Sequence, residues 1–107
     1  GIIVPLGDNY FKAQCQGDCA GYFALYRVKG NGGKYITDYG YRDIKPAGDS
    51  MFIAKNSRSL FGYLDANGSQ IIPCIYYDAK PFINGKAEVY TDYKTHYYIN
   101  KNGERVK

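Results

Sequence analysis

Short apolar-rich runs bounded by turn residues recur along the chain. "SMFIAK" (50–55) and "KAEVYT" (86–91) have the length and β-branched or aromatic content of first strands, "SLFGYLD" (59–65) and "THYYIN" (95–100) of second strands, and "SQIIP" (69–73) of a third. A Tyr- and Pro-containing connector follows each set. Each set predicts a small antiparallel meander, and the sets repeat. "IVPLGDNYFKA" (3–13) and "IKPAGDSMFIA" (44–54) share Ile, Pro, Gly, Asp, Phe and Ala without a gap, which carries Pro5 onto Pro46 at a shift of 41. "YRDIKP" (41–46) falls on "YYDAKP" (76–81), and Asn67-Gly68 on Asn102-Gly103, at a constant shift of 35. Three copies result, at approximately 3–43, 44–78 and 79–107.

From the proline to the Asn-Gly pair the distance is 21 residues in the second and third copies and 26 in the first, Pro5 to Asn31. The extra five fall around "CQGDCAG", which predicts a lengthened hairpin tip there. Asn-Gly is the strongest short hairpin signal, because both residue types accept the positive φ of a type I′ turn. Asp65-Ala66-Asn67-Gly68 also suits a type I turn closed by a Gly bulge, and the sequence leaves the two open. A unit this small cannot bury its apolar face alone, so the copies are expected to stack and supply one another's core. Phe52, Phe61 and Leu64 should be buried, with Ala87 and Ile99 in the same shared core and Phe11 in the place of Phe52. The fold expected is all-β, three antiparallel hairpin or meander repeats of about 35–41 residues stacked like a solenoid, within a single domain spanning 1–107; a small closed or partly closed barrel is the alternative.

Pro81-Phe82, then Gly85-Lys86-Ala87, and Phe61-Gly62-Tyr63-Leu64 followed by Asp65-Ala66-Asn67-Gly68 form a pattern that resembles the WG repeats of bacterial proteins. The resemblance runs from residue 3 onward and is best across Leu60 to Ala87. The Trp-Gly of the family is replaced by Phe61-Gly62, Phe23-Ala24 and His96-Tyr97, and the chain has no Trp. The resemblance implies an all-β repeat domain, commonly extracytoplasmic and without a general enzymatic role. It carries over no site residues.

Thirteen Tyr, five Phe and thirteen Gly agree with strands joined by tight turns. Fourteen Lys and Arg against ten Asp and Glu are mixed along the chain, so the net charge of +4 is not a polybasic footprint and no nucleic-acid partner is expected. No apolar run reaches the ~18 residues of a membrane span. A start at Gly rather than Met predicts that something was removed upstream. The expected location is secreted, periplasmic or cell envelope.

Candidate chemistry is sparse. His96 is the only histidine, and no local signature joins it to Cys15, Cys19 or Cys74 as a catalytic pair. Cys15-x-x-x-Cys19 lacks a second ligand pair at zinc spacing, and Asp65-x-Asn67-Gly68 lacks the closing Glu of a calcium loop. Asn67-Gly68-Ser69 is formally a glycosylation acceptor, better explained by the hairpin. Most of the eight Asp lie in turns. No catalytic residue, metal site or cofactor is therefore expected, and the chain is expected not to be an enzyme. Cys15 and Cys19 are close enough to form a disulfide, whereas Cys74 reads as a small buried residue. The tyrosines carry the functional colour. Tyr76, Tyr77, Tyr90, Tyr93, Tyr97 and Tyr98 are the candidate binding residues, because adjacent tyrosines on a strand must point to opposite faces and one of each pair looks outward. The expectation is a non-catalytic module binding an unknown protein, or alternatively a cell-surface glycan.

Overall fold

The computed structural model describes residues 2–107, and its regular structure is entirely β. Strands β1 (Ile3–Gly7), β2 (Tyr10–Gln14), β3 (Phe23–Lys29) and β4 (Gly32–Tyr35) form the first sheet. The second holds β5 (Asp43–Gly48), β6 (Met51–Lys55), β7 (Phe61–Leu64) and β8 (Gln70–Tyr76), and the third β9 (Asp78–Ile83), β10 (Lys86–Tyr90), β11 (His96–Ile99) and β12 (Arg105–Val106). Each sheet is an antiparallel meander with its strands side by side in chain order, and none closes into a barrel.

The Pro-containing segments expected to be connectors are strands, so each unit has four strands rather than three. Pro lacks the N–H that a central ladder requires and is confined to sheet edges and bulges. That is where it stands: β1, β5 and β9 are edge strands, and the register shifts just after Pro5 and Pro46. Two-residue turns with left-handed backbones close these first hairpins, at Asp8-Asn9, Asp49-Ser50 and Asn84-Gly85. The type I′ signature thus belongs to the first turn of each unit.

The Asn67-Gly68 and Asn102-Gly103 turns take the bulged form. Gly68 N–H donates to Asp65 O and Gly103 N–H to Asn100 O, at 3.0 Å each, with φ of 80° and 81°. The side chain opening the turn selects this geometry. Asp65 Oδ1 accepts the N–H groups of Asn67 and Ser69, and Asn100 Oδ1 those of Asn102 and Glu104. In the first copy Lys29 pairs with Gly32 across a tighter Gly30-Asn31 turn. The five extra residues there divide: Pro5 to Phe23 is three longer than Pro46 to Phe61, in the cysteine loop, and the other two lengthen the β3–β4 hairpin.

Two apolar clusters hold the sheets together, one on each side of the second. Along β6, Phe52 and Ala54 join Ile44 and Leu64 against Tyr10 and Leu25 of the first sheet. Met51 and Ile53 join Tyr63 and Ile72 against Ala79, Phe82, Ala87, Val89 and Ile99 of the third. Burial on both faces explains why "MFIA" is continuously apolar where a half-exposed strand would alternate. Each junction repeats one device. Tyr10 packs its ring 4.8 Å from Phe52 and donates its hydroxyl to Ala66 O at 2.8 Å; Tyr63 packs 4.9 Å from Phe82 and donates to Lys80 O at 2.6 Å.

Three core expectations need correction. Phe52 and Leu64 lie in one cluster and Ala87 and Ile99 in the other, so these are equivalent positions rather than one shared core. Phe61 is only half-buried, lying against the second cluster beneath Lys45 and Lys55. Phe11 pairs with Pro5 as Phe52 pairs with Pro46, yet it too is half-buried, since no sheet among the described residues covers it.

Candidate interaction surface

Every sheet has a rear face, turned toward the preceding copy, and a front face, turned toward the next. In the second sheet the rear face carries Ile44, Phe52, Ala54 and Leu64, under the first sheet; in the third it carries Ala79, Ala87, Val89 and Ile99, under the second. The same register in the first sheet places Ile3, Pro5, Phe11, Ala13, Ala24, Tyr26, Val28 and Tyr35 on its rear face. None of these carries a charge. The Tyr26 ring lies over Gly33, where no Cβ blocks it, and packs edge-on to Tyr35 at 4.9 Å. Tyr35 meets Tyr39 at 5.7 Å, and Tyr39 donates its hydroxyl to that of Tyr35 at 3.0 Å. That hydrogen bond, with slight desolvation, raises the pKa of Tyr39. Tyr35 remains 53% exposed.

The front face of the third sheet is of opposite character. It presents Asp78, Lys86, Glu88, Tyr90, His96 and Tyr98, with Ile83 and Val106 among them. Glu88 lies 2.9 Å from His96 Nδ1, Lys80 lies 3.1 Å from Asp78, and that ion pair raises the Lys80 pKa. A shallow groove of about 520 Å³ runs among Lys80, Ile83, Asn84, Lys86, Glu88 and Tyr98.

The six candidate tyrosines do not form one exposed surface, although Tyr76 and Tyr97 meet edge-on with ring centres 6.4 Å apart. Tyr76 is a correction: it is 5% exposed, inside the core between the second and third sheets, and burial, with Tyr97 beside it, pushes its pKa up to about 12. Its neighbour Tyr77 points out, at 54% exposed. Tyr97 turns inward and is half-buried under Arg105, while Tyr98 turns outward with Lys86 over its ring. The alternation of adjacent tyrosines is therefore as the strand geometry requires. Tyr90 lies against His96, 5.1 Å between ring centres, and Tyr93, with the Lys94 ammonium over its ring, is 74% exposed in the β10–β11 loop. The contiguous aromatic surface is at the other end of the molecule, in Phe11, Tyr26, Tyr35 and Tyr39. The shift of 41 that sets Phe11 on the buried Phe52 was its signal in the sequence.

Cys15 and Cys19 are joined as a disulfide, with Cα atoms 5.6 Å apart, in the loop between β2 and β3. Cys74 is buried in β8 with its Sγ against Ala54 O, and burial raises its thiol pKa. Protein unfolded without reductant should show one titratable thiol; three would mean that the 15–19 bond does not form. His96 engages Glu88 and Tyr90, so the imagined Cys–His pairings are not made.

Residues 61–94 match the family model described as WG containing repeat. No curated protein and no solved structure matches the chain. The matched segment runs from β7 through β10, so it straddles the second and third sheets and contains the junction between them.

Proposed function

We propose that this chain, which carries a WG repeat, is a non-catalytic interaction module of a bacterial envelope or secreted protein, and that it grips a protein partner with the rear face of its first sheet. One observation carries the reading: the equivalent face is covered by a sheet in the second and third copies, whereas in the first no sheet among the described residues covers an uncharged surface of Phe11, Tyr26, Val28 and Tyr35. Exposed contiguous apolar surface with rigid aromatic anchors is the composition of protein-binding patches. A photo-crosslinking residue at Tyr35 should give discrete protein adducts in an extract of the source cells, and the same residue at Tyr98 should not. Equal labelling from both positions, or none from Tyr35, would overturn the reading. Glycan binding is the second reading, favoured by exposed Tyr98 beside Asn84 and Glu88 in the groove. Against it, Lys86 already covers one face of the Tyr98 ring.

A further inference from the structure

We infer that the groove between the first and second sheets binds a free amino acid as its zwitterion, Arg27 taking the carboxylate and Asp8 the ammonium. The site is separate from the rear face of the first sheet. Its two walls are packed on each other through Tyr10, Leu25, Phe52 and Leu64, so a further copy stacked against either end would leave the groove in place.

The two junctions differ at their first hairpin turns. The shift of 41 sets Gly7 on Gly48. A Cβ on Gly48 would lie 3.1 Å from Phe82 O of the third sheet, whereas a Cβ on Gly7 would meet nothing within 4 Å. The second and third sheets thus close on each other at this end, and the first and second leave a groove of about 550 Å³ between them. That volume lies within the roughly 300–1,000 Å³ of small-molecule sites. Leu6, Pro46 and Phe52 give it an apolar lining, and Asp8, Asn9, Asp49, Ser50 and Arg27 a polar one.

Two opposite charges line this groove without pairing to each other. The Arg27 guanidinium lies 5.0 Å from the centre of the Tyr10 ring, and Tyr10 is itself fixed by its hydroxyl on Ala66 O. Neither Arg27 nor Asp8 has an ion-pair partner among the described residues, whereas Asp49 is held by Lys101 at 3.3 Å. A ligand of one sign would match one of the two groups and meet a like charge at the other. A zwitterion matches both, with the flat guanidinium presenting parallel N–H groups to a carboxylate. The backbone supports the same assignment. Asp8, Asn9, Asp49 and Ser50 all take left-handed conformations, which glycine adopts at least steric cost, and the equivalent turn of the third copy uses Gly85. The two turns bordering the groove keep polar side chains instead, one pair on each wall. The apolar lining beside them suits an aliphatic side chain, so leucine is the probe.

Titration of the isotope-labelled chain with L-leucine at low ionic strength, followed by two-dimensional NMR, decides it. Amide signals of Asp8, Asn9, Arg27, Asp49 and Ser50 should move and saturate with a Kd on the order of 1–10 mM, as solvated ion pairs in an open groove allow. Leucinamide, which lacks the carboxylate, and N-acetylleucine, which lacks the ammonium, should each bind at least about tenfold more weakly. Arg27→Gln should weaken leucine about tenfold and abolish its advantage over leucinamide. Asp8→Asn, a residue type that accepts the φ of 53° there, should abolish its advantage over N-acetylleucine. Both side chains are exposed, so thermal unfolding of the variants should match that of the parent. The ranking of the three compounds on the unaltered chain tests the site even where a variant fails to fold. No saturable shifts, equal affinity for the three compounds, tighter binding of glucuronate than of leucine, or shifts confined to another face would each overturn the inference.

Discussion

Replacing Tyr63 with Ala should cost about 3–5 kcal/mol, close to unfolding a domain of this size, whose whole stability is of order 5–15 kcal/mol. Tyr63 has no exposed surface and sits at the centre of the second cluster, edge-on to Phe82. Truncation opens a cavity between two sheets that neither can collapse into, because each is held by its own ladder. It also removes the hydroxyl that satisfies Lys80 O across the junction. Tyr63→Phe keeps the ring and isolates the hydrogen bond, at about 1 kcal/mol. Phe61→Ala, one turn of the pleat away, should cost only about 1–2 kcal/mol, since its ring is half-exposed and shielded by lysine stems. Chemical denaturation of the three variants tests the ranking; a Phe61→Ala loss equal to that of Tyr63→Ala would place the core on the wrong residue.

The second large effect is expected from Gly62→Ala. Opposite Gly62 the β7–β8 register jumps from Phe61↔Tyr76 to Tyr63↔Ile72, so three residues of β8 bulge across one of β7. A Cβ at position 62 would lie 2.5 Å from Ile72 O and 2.7 Å from both Cys74 N and the Pro73 carbonyl carbon. All three are backbone atoms that cannot rotate away. The bulge must lift, at a cost of about 3 kcal/mol, toward the upper end for overpacking. At the equivalent positions Ala24 is buried in β3 and Tyr97 packs under Arg105. The sheet thus tolerates a side chain where no bulge crosses. Denaturant midpoints of Gly62→Ala and Ala24→Gly test this: the first should fall sharply and the second by only about 1 kcal/mol's worth, and equal losses would show that the bulge is not what demands glycine.

The location of these residues separates what was legible in the chain from what was not. The shifts of 35 and 41 were readable because each copy must present the same turn chemistry and the same inward residues to its neighbours. The alternation of Tyr76 with Tyr77 and of Tyr97 with Tyr98 was readable because strand geometry is local. Which member of a pair faces a covered side was not local. Tyr76 entered the binding candidates on the strength of its neighbours and proved to be core, whereas Phe11 entered the core and proved to lie on an open face. Identical positions in successive copies differ in burial because burial is conferred by the next sheet, and the end copies lack one neighbour among the described residues.

The order of strands, the three units, the positive φ of Gly68 and Gly103 and the tip position of Cys15 and Cys19 were determined by sequence alone, since each depends on backbone sterics and side-chain contacts within a few residues. The Oδ1 of Asp65 and Asn100 set the bulged form of the Asn-Gly turns locally, whereas the tertiary structure decided the recruitment of the Pro-bearing connectors as edge strands. It also decided the division of one expected core into two and the contrast between an uncharged rear face at one end and a charged front face at the other. Those outcomes depend on which surface meets which, and packing free energy between sheets distant in sequence settles that, not the propensity of any residue along the chain.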